Sequence, residues 1–202
     1  MAKYSEDRKR EAREDILKHA AERFRRDGIA AVGVRPLMAD AGLTHGGFYA
    51  HFGSRSDLIA AALEYAAGTT LDYFHAAIAR VPDDEKLGKL VATYLRPVHR
   101  DHMELGCTVS ALAPEIARES DATRERFSAS NEGLIGLIAE HLPPGGGAGE
   151  RLERARILFA SMLGVLQLMR IETDPATAAS LAGAGRTAAM QLAHAPWREG
   201  GA

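Results

Sequence analysis

The chain has 202 residues, 46% of them hydrophobic, with a net charge of −2 and a single cysteine. That length suits one helical domain or a small head on a larger body, and no apolar run approaches the roughly 20 residues a bilayer span needs. A lone cysteine, Cys107, excludes an intrachain disulfide, and the polar, charged start reads against a secretory leader, so a cytoplasmic protein is expected.

The charge is unevenly spread. The first 60 residues carry 11 Lys and Arg against 9 Asp and Glu, which leaves the remainder acidic. The sign of that polarity suits a basic head on an acidic body.

The first predicted element is an amphipathic helix over Ser5 to Asp27, where Ile16, Leu17, Ala20, Ala21 and Phe24 recur at three- and four-residue spacing. Gly28 ends it. A short second helix over Val34 to Ala41 has Gly33 near its N-cap. Pro36 sits in its first turn, where a missing N–H costs nothing, and Leu37 and Met38 face inward. Gly42 then supplies the positive φ of a helix-to-helix turn. Thr44 is placed to cap a third helix by accepting a first-turn N–H. That helix carries Phe48 and Phe52 four residues apart as buried anchors, leaving His45, Tyr49 and His51 to project elsewhere. With Gly46 and Gly47 it has little propensity to stand alone, so its neighbours must brace it. Its open face is small and polar enough to enter a groove, as the recognition element of a helix-turn-helix does.

Gly53-Ser54-Arg55-Ser56-Asp57 reads as a turn and cap that opens a long fourth helix over Arg55 to Arg80, closed by Pro82. This helix belongs to both head and body. In the body, Asp83 to Met103 is predicted as one helix bent at Pro97. Gly106 to Arg118 follows, interrupted by Pro114, and then Asp121 to His141. Pro143-Pro144-Gly145-Gly146-Gly147 is a loop. Glu150 to Ile171 and Asp174 to His194 are the last two helices, with Pro175 in the first turn of the second. No strand alternation and no repeat is visible, so the expected fold class is all-α with about nine helices. The expected division is a helix-turn-helix DNA-binding domain over 1–57, an effector-binding and dimerisation body over 58–195, and a loose tail over 196–202.

Residues 13–63 resemble the tetracycline-repressor (TetR) family of bacterial transcription regulators. The resemblance rests on the long first helix with Phe24 and Gly28, on Val34 to Gly42, and on Leu43-Thr44-His45-Gly46-Gly47-Phe48-Tyr49-Ala50-His51-Phe52 followed by Ser54-Arg55-Ser56-Asp57-Leu58. It implies an all-α homodimer whose three-helix heads bind two half-sites of a palindromic operator. It further implies a small-molecule effector held in the helical body and a non-enzymatic, ligand-responsive regulator, a repressor released by that effector. Two positions depart from the family pattern: Gly33 stands where Thr or Ser usually caps the second helix, and His45 and Gly47 replace a common Lys or small polar choice.

Within this frame the DNA-binding candidates are Arg35, Thr44, His45, Gly46, Tyr49, His51 and Arg55. Thr44 and the first N–H groups after it face a phosphate. Tyr49 and His51 are long enough to reach phosphate or a base edge, and Arg35 and Arg55 clamp the backbone on either side. The arm of Lys3, Arg8, Lys9 and Arg10 either adds salt-dependent affinity or is simply a solvated face. The effector-pocket candidates are Tyr65, Phe74, Tyr94, Met103, Cys107, Phe127, Phe159, Met162 and Gln167, apolar side chains with a few polar ones among them.

Cys107 follows Gly106 near a helix start, where the helix dipole lowers a thiol pKa, so an alternative function is a regulator sensing oxidants or electrophiles through that thiol. The bland reading is a buried small hydrophobe. A metal site from His99, His102, Glu104 and Cys107 has no flanking groups in the sequence to orient its ligands; no metal and no cofactor is expected. For the dimer interface the candidates are Leu152, Phe159, Leu163 and Leu166 on one helix and Leu181 and Ala189 on the last, paired across a two-fold axis. No Ser/His/Asp or paired-carboxylate set stands on facing elements, which disfavours an enzyme. The remaining rival is a helical protein-interaction module without operator binding, separable by its flat salt dependence on random DNA.

Overall fold

The structure is a computed structural model that describes residues 2–197, with side chains described from Glu6 onward. The described residues form an all-α fold of nine α-helices and three short 3-10 segments, with no strand among them. The helices are α1 (Ala2–Asp27), α2 (Val34–Asp40), α3 (Arg55–Ile78), α4 (Lys86–Tyr94), α5 (Pro97–Asp101), α6 (Thr108–Ile116), α7 (Asp121–Glu140), α8 (Ala148–Ile171) and α9 (Pro175–Ala193). Between α2 and α3 lies a 3-10 helix over His45–Ala50, called the recognition turn below.

Packing groups the chain into two compact units. One holds the residues up to Thr70 together with Met103–Asn131, the other Leu71–His102 together with the residues from Glu132 on. The first unit therefore includes the start of α3, all of α6 and the start of α7.

In the first unit, α1 contributes Ile16, Leu17, Ala20 and Phe24 to a core shared with Leu37 and Met38 of α2, Phe48 and Phe52 of the recognition turn, Leu58 and Leu63 of α3, and Leu112 and Ile116 of α6. Gly28 ends α1 at φ +87°, its N–H donating to Phe24 O at 2.9 Å. Two long-range contacts fasten this end of α1. The buried Arg25 donates from Nε to Glu104 O at 2.7 Å, and Glu115 accepts the Ala30 N–H at 3.0 Å.

Two predicted helices of the body differ in the structure. Asp83 to Met103 is not one bent helix: a 3-10 turn over Asp83–Glu85 leads into α4, the chain breaks at Leu95 and Arg96, and α5 restarts at Pro97. The proline ring disfavours the helical region for the residue before it, and Arg96 is accordingly extended at ψ 156°. Pro97 then fits the first helical position, where no N–H is needed. Conversely, Pro114 does not interrupt its helix. α6 is shorter than expected but continues through the proline to Ile116, and Ala117 N–H still reaches Ala113 O at 3.0 Å.

In the second unit α8 and α9 pack closely. A Cβ at Gly185 would stand 2.6 Å from Val165 Cγ1 and 3.2 Å from Leu95 Cδ1, so only glycine permits this approach. Asp174 caps α9 by accepting the N–H groups of Ala176 and Thr177 at 3.4 and 2.9 Å, ahead of Pro175 at the first helical position. The tail expected to be loose is held at its first two residues. Arg154 Nη2 donates to Pro196 O at 2.9 Å, and the Trp197 indole lies 3.6 Å from the Arg154 guanidinium and donates to Pro144 O at 2.9 Å. A tryptophan offers one N–H and a large π face, and here both find partners. Residues 198–202 lie outside the described residues.

Candidate nucleic-acid interface

The geometry that presents the recognition turn begins with the end of α2. Leu43 N–H donates to Met38 O at 2.8 Å and Gly42 N–H to Ala39 O at 3.0 Å, with Gly42 at φ +69°. That pair of bonds is a Schellman closure, which satisfies the last carbonyls of α2 and reverses the chain. Thr44 follows in extended conformation at the N-cap position. Its side chain makes no capping bond, contrary to the expectation from sequence. The turn it opens is a 3-10 helix rather than the expected α-helix. Two adjacent glycines and an absent cap leave little to favour α geometry, and the tighter i→i+3 pattern takes over, as in Gly47 N–H to Thr44 O at 3.0 Å.

The last turn recovers an α-type bond, Phe52 N–H to Phe48 O at 3.0 Å, so Phe48 and Phe52 fall on one side. Their rings stack with centroids 5.6 Å apart and both are buried. These anchors fix the turn against α1, α2 and α3. Arg13 of α1 also covers the Phe52 ring, its Cζ 4.8 Å from the centroid.

With the anchors inside, the remaining side chains separate into three groups. Arg35, Thr44, His45, Gly46 and Tyr49 are exposed, Tyr49 to 70% of its surface. A Cβ added at Gly46 would meet nothing within 4 Å. His51 is half-buried. Its Nδ1 is enclosed without a hydrogen-bond partner, and burial, reinforced by the charges of Lys9 and Arg13, holds its pKa below the usual imidazole value. Arg55 is exposed but partly committed, donating from Nη2 to Ile29 O at 2.6 Å and to Val32 O at 3.4 Å. It therefore closes the loop between α1 and α2, a role that local sequence did not signal. Of the arm, Arg8, Lys9 and Arg10 are exposed and Arg10 pairs with Asp7 at 2.9 Å; the Lys3 side chain lies outside the described residues.

The effector candidates divide between the two units. Tyr65, Met103, Cys107 and Phe127 belong to the first, and Phe74, Tyr94, Phe159, Met162 and Gln167 to the second. In the second the structure brings Phe74, Tyr94 and Phe159 together, with Tyr94 centroids 6.2 Å from Phe74 and 5.7 Å from Phe159. His99, unassigned to this place by its sequence, joins them edge-on at 4.6 Å from Tyr94 and directs Nδ1 to Tyr94 O at 2.6 Å. Met103 is exposed, whereas Cys107 is buried at the N-cap of α6.

Of the dimer candidates, Phe159, Leu166 and Ala189 are already buried inside a single chain, and Leu152, Leu163 and Leu181 are half-buried. The apolar side chains that α8 leaves uncovered are others: Ile157 at 55% exposure, Leu168 at 52% and Ile171 at 76%, with exposed Gly164 between them. Sequence periodicity identified the apolar helix but not which of its two apolar faces the chain itself covers.

An exposed polar turn set on two buried phenylalanines after a glycine reversal, within an all-helical chain, is the arrangement of a helix-turn-helix. The family model for bacterial regulatory proteins of the tetR family matches residues 16–74, which supports a regulator of that type. It is 28% identical over 120 residues to the uncharacterized HTH-type transcriptional regulator YerO of Bacillus subtilis, a match covering 58% of this chain. The chain spans 40% of that relative's length. Among solved structures, a TetR transcriptional regulator from Chloroflexus aurantiacus superimposes with a TM-score of 0.74 at 24% identity, covering 93% of this chain and 97% of that one. The transcriptional regulator FadR from Bacillus subtilis, solved in complex with stearoyl-CoA, gives 0.66 at 14% identity over 90% and 98% of the two chains. No helix among the described residues is long and apolar enough to cross a membrane.

Proposed function

We propose that this regulator is a ligand-responsive repressor that binds a palindromic operator as a homodimer and leaves it when an organic effector occupies the helical body. In this reading residues 1–57 are the DNA-binding part and 58–195 the effector-binding and dimerisation part. The observation that carries the proposal is the exposed, side-chain-poor face of the recognition turn, with Tyr49 standing out from a base fixed by Phe48 and Phe52. Such a face admits close approach of backbone to DNA at Gly46, while Thr44, His45 and Tyr49 reach phosphates and base edges and Arg35 stands on the flank. His51 contributes from a partly enclosed position, and Arg55 retains N–H groups for phosphate beyond the one that holds the loop.

Two heads in successive major grooves must stand roughly 34 Å apart. The uncovered stripe of Ile157, Gly164, Leu168 and Ile171 on α8, together with α9, is suited to a four-helix contact with a second copy. Effector binding acts by moving α3, which runs from the head into the body, and so changes the spacing of the heads. A selection of bound fragments from random duplex DNA tests the proposal. Recovery of an inverted repeat with half-sites one helical turn apart is expected. A flat salt dependence on DNA and no enriched sequence would instead identify a protein-interaction module.

One observation favours a second reading, thiol sensing at Cys107. The buried Arg25 guanidinium lies within electrostatic reach of Cys107. Release of the operator by an electrophile in wild type but not in Cys107→Ser would assign the response to the thiol.

A further inference from the structure

The break between α4 and α5 places an arginine in unusual surroundings. Pro97 forces Arg96 into an extended backbone. The Arg96 Cζ lies 4.9 Å from the Tyr73 ring centroid, and its Nε is buried and donates to no acceptor among the described residues. No carboxylate among those residues pairs with it. A second arginine comes close: Arg170 of α8 donates from Nη2 to His99 O at 3.2 Å, and the charges of both arginines disfavour protonation of the buried His99 ring. The wall behind them is aromatic, with Tyr94 stacked on Phe74 and met edge-on by Phe159. Every one of these residues belongs to the second unit.

An enclosed N–H with no acceptor, on a guanidinium that no carboxylate among the described residues pairs with, is costly. An anion at Arg96 removes that penalty. A carboxylate is the anion whose two oxygens match the side of a guanidinium, accepting from Nε–H and an Nη–H together, and Nε–H is the donor that Arg96 leaves open. Aromatic surfaces beside a few convergent polar groups suit the apolar part of an organic ligand.

We propose that the effector is an organic carboxylate, its carboxylate held by Arg96 with Arg170 beside it and its apolar part laid against Phe74, Tyr94 and Phe159. This rests on the reading that the helical body holds the effector.

The test is calorimetric titration of the full-length chain with matched probes: 2-naphthoate against 2-naphthamide and decanoate against decanamide, with acetate as the control for a solvent anion. At least one acid is expected to bind about tenfold or more tightly than its amide and than acetate. Arg96→Gln should remove that preference while leaving amide binding and the helical circular dichroism unchanged. Arg96→Lys, which keeps the charge but not the fork, should lose most of it and decides the matter where Arg96→Gln fails to fold. Equal binding of acid and amide, unchanged acid binding in the variants, or no acid binding beyond that of acetate overturns the proposal. Operator gel shifts with the same probes separate it from the function it rests on. Amides that release DNA while acids do not defeat the carboxylate alone. Acids that bind through Arg96 without altering DNA affinity defeat the ligand-responsive reading and leave the anion site standing.

Discussion

Glu115 on α6 accepts the Ala30 N–H at 3.0 Å from 85 positions away, and its other oxygen, Oε1, lies 2.8 Å from where a Cβ on Gly28 would stand. One carboxylate therefore closes the turn that ends α1 and sets the start of α2. Glu115→Ala removes that acceptor and, the bond being solvent-exposed, should destabilise the chain by about 0.5–1.5 kcal/mol, read by urea denaturation. Gly28→Ala should cost about 1–2 kcal/mol or more, since it adds a strained positive φ to the collision. Wild-type midpoints in both variants would show that the contact is not formed in solution.

His99 gives a pH dependence of definite sign. Burial, first, and then the charges of Arg170 and Arg96 push its pKa from 6.5 down to about 4, against the opposing bond to Tyr94 O. The unfolded chain takes up a proton as pH falls through 6.5, while the folded chain does so only near 4. Stability from this group is therefore complete above the unfolded value, is lost as pH falls between the two, and levels off below the lower one. Between about pH 7 and pH 5 the loss should be about 2 kcal/mol. His99→Gln should flatten that part of the denaturation profile; an equal slope in the variant would place its origin elsewhere.

Gly185 is the point where α9 meets Val165 and Leu95. Gly185→Val must push the helices apart or force side chains off their rotamers, at about 1–3 kcal/mol. Because the uncovered stripe of α8 lies on the same helix pair, the substitution should also weaken self-association in sedimentation. A variant as stable and as associated as wild type would contradict the packing described.

Cys107 is 3% exposed. A thiol reagent should therefore modify it many times more slowly in the folded chain than in urea, and Cys107→Ser should retain the response to an organic effector. Fast labelling of the folded protein, with loss of response in the variant, would favour the thiol reading instead.

What the sequence made legible was local. Gly28 and Gly42 announced their positive φ because no other residue accommodates it cheaply, and Phe48 with Phe52 announced a buried side through spacing alone. The recognition turn departs from the expected α-helix, and Thr44 from the expected cap, where Gly46 and Gly47 weaken the intrinsic helical preference. The break at Arg96 was readable as a bend but not as an end, since bent and broken helices share the same proline signal. Glu115 on Ala30, Arg55 on Ile29 and Arg170 on His99 left no local pattern at all. Each joins residues far apart in the chain, and periodicity carries no information about which distant partner a polar side chain will find.

The most direct test of DNA recognition by the turn is a gel-shift titration of Tyr49→Ala against the selected operator, run beside urea denaturation of the same protein. Tyr49 is 70% exposed, so its truncation should change stability by no more than about 0.5 kcal/mol. Operator affinity should fall below detection while the variant stays folded and dimeric. Wild-type affinity in Tyr49→Ala would contradict the account.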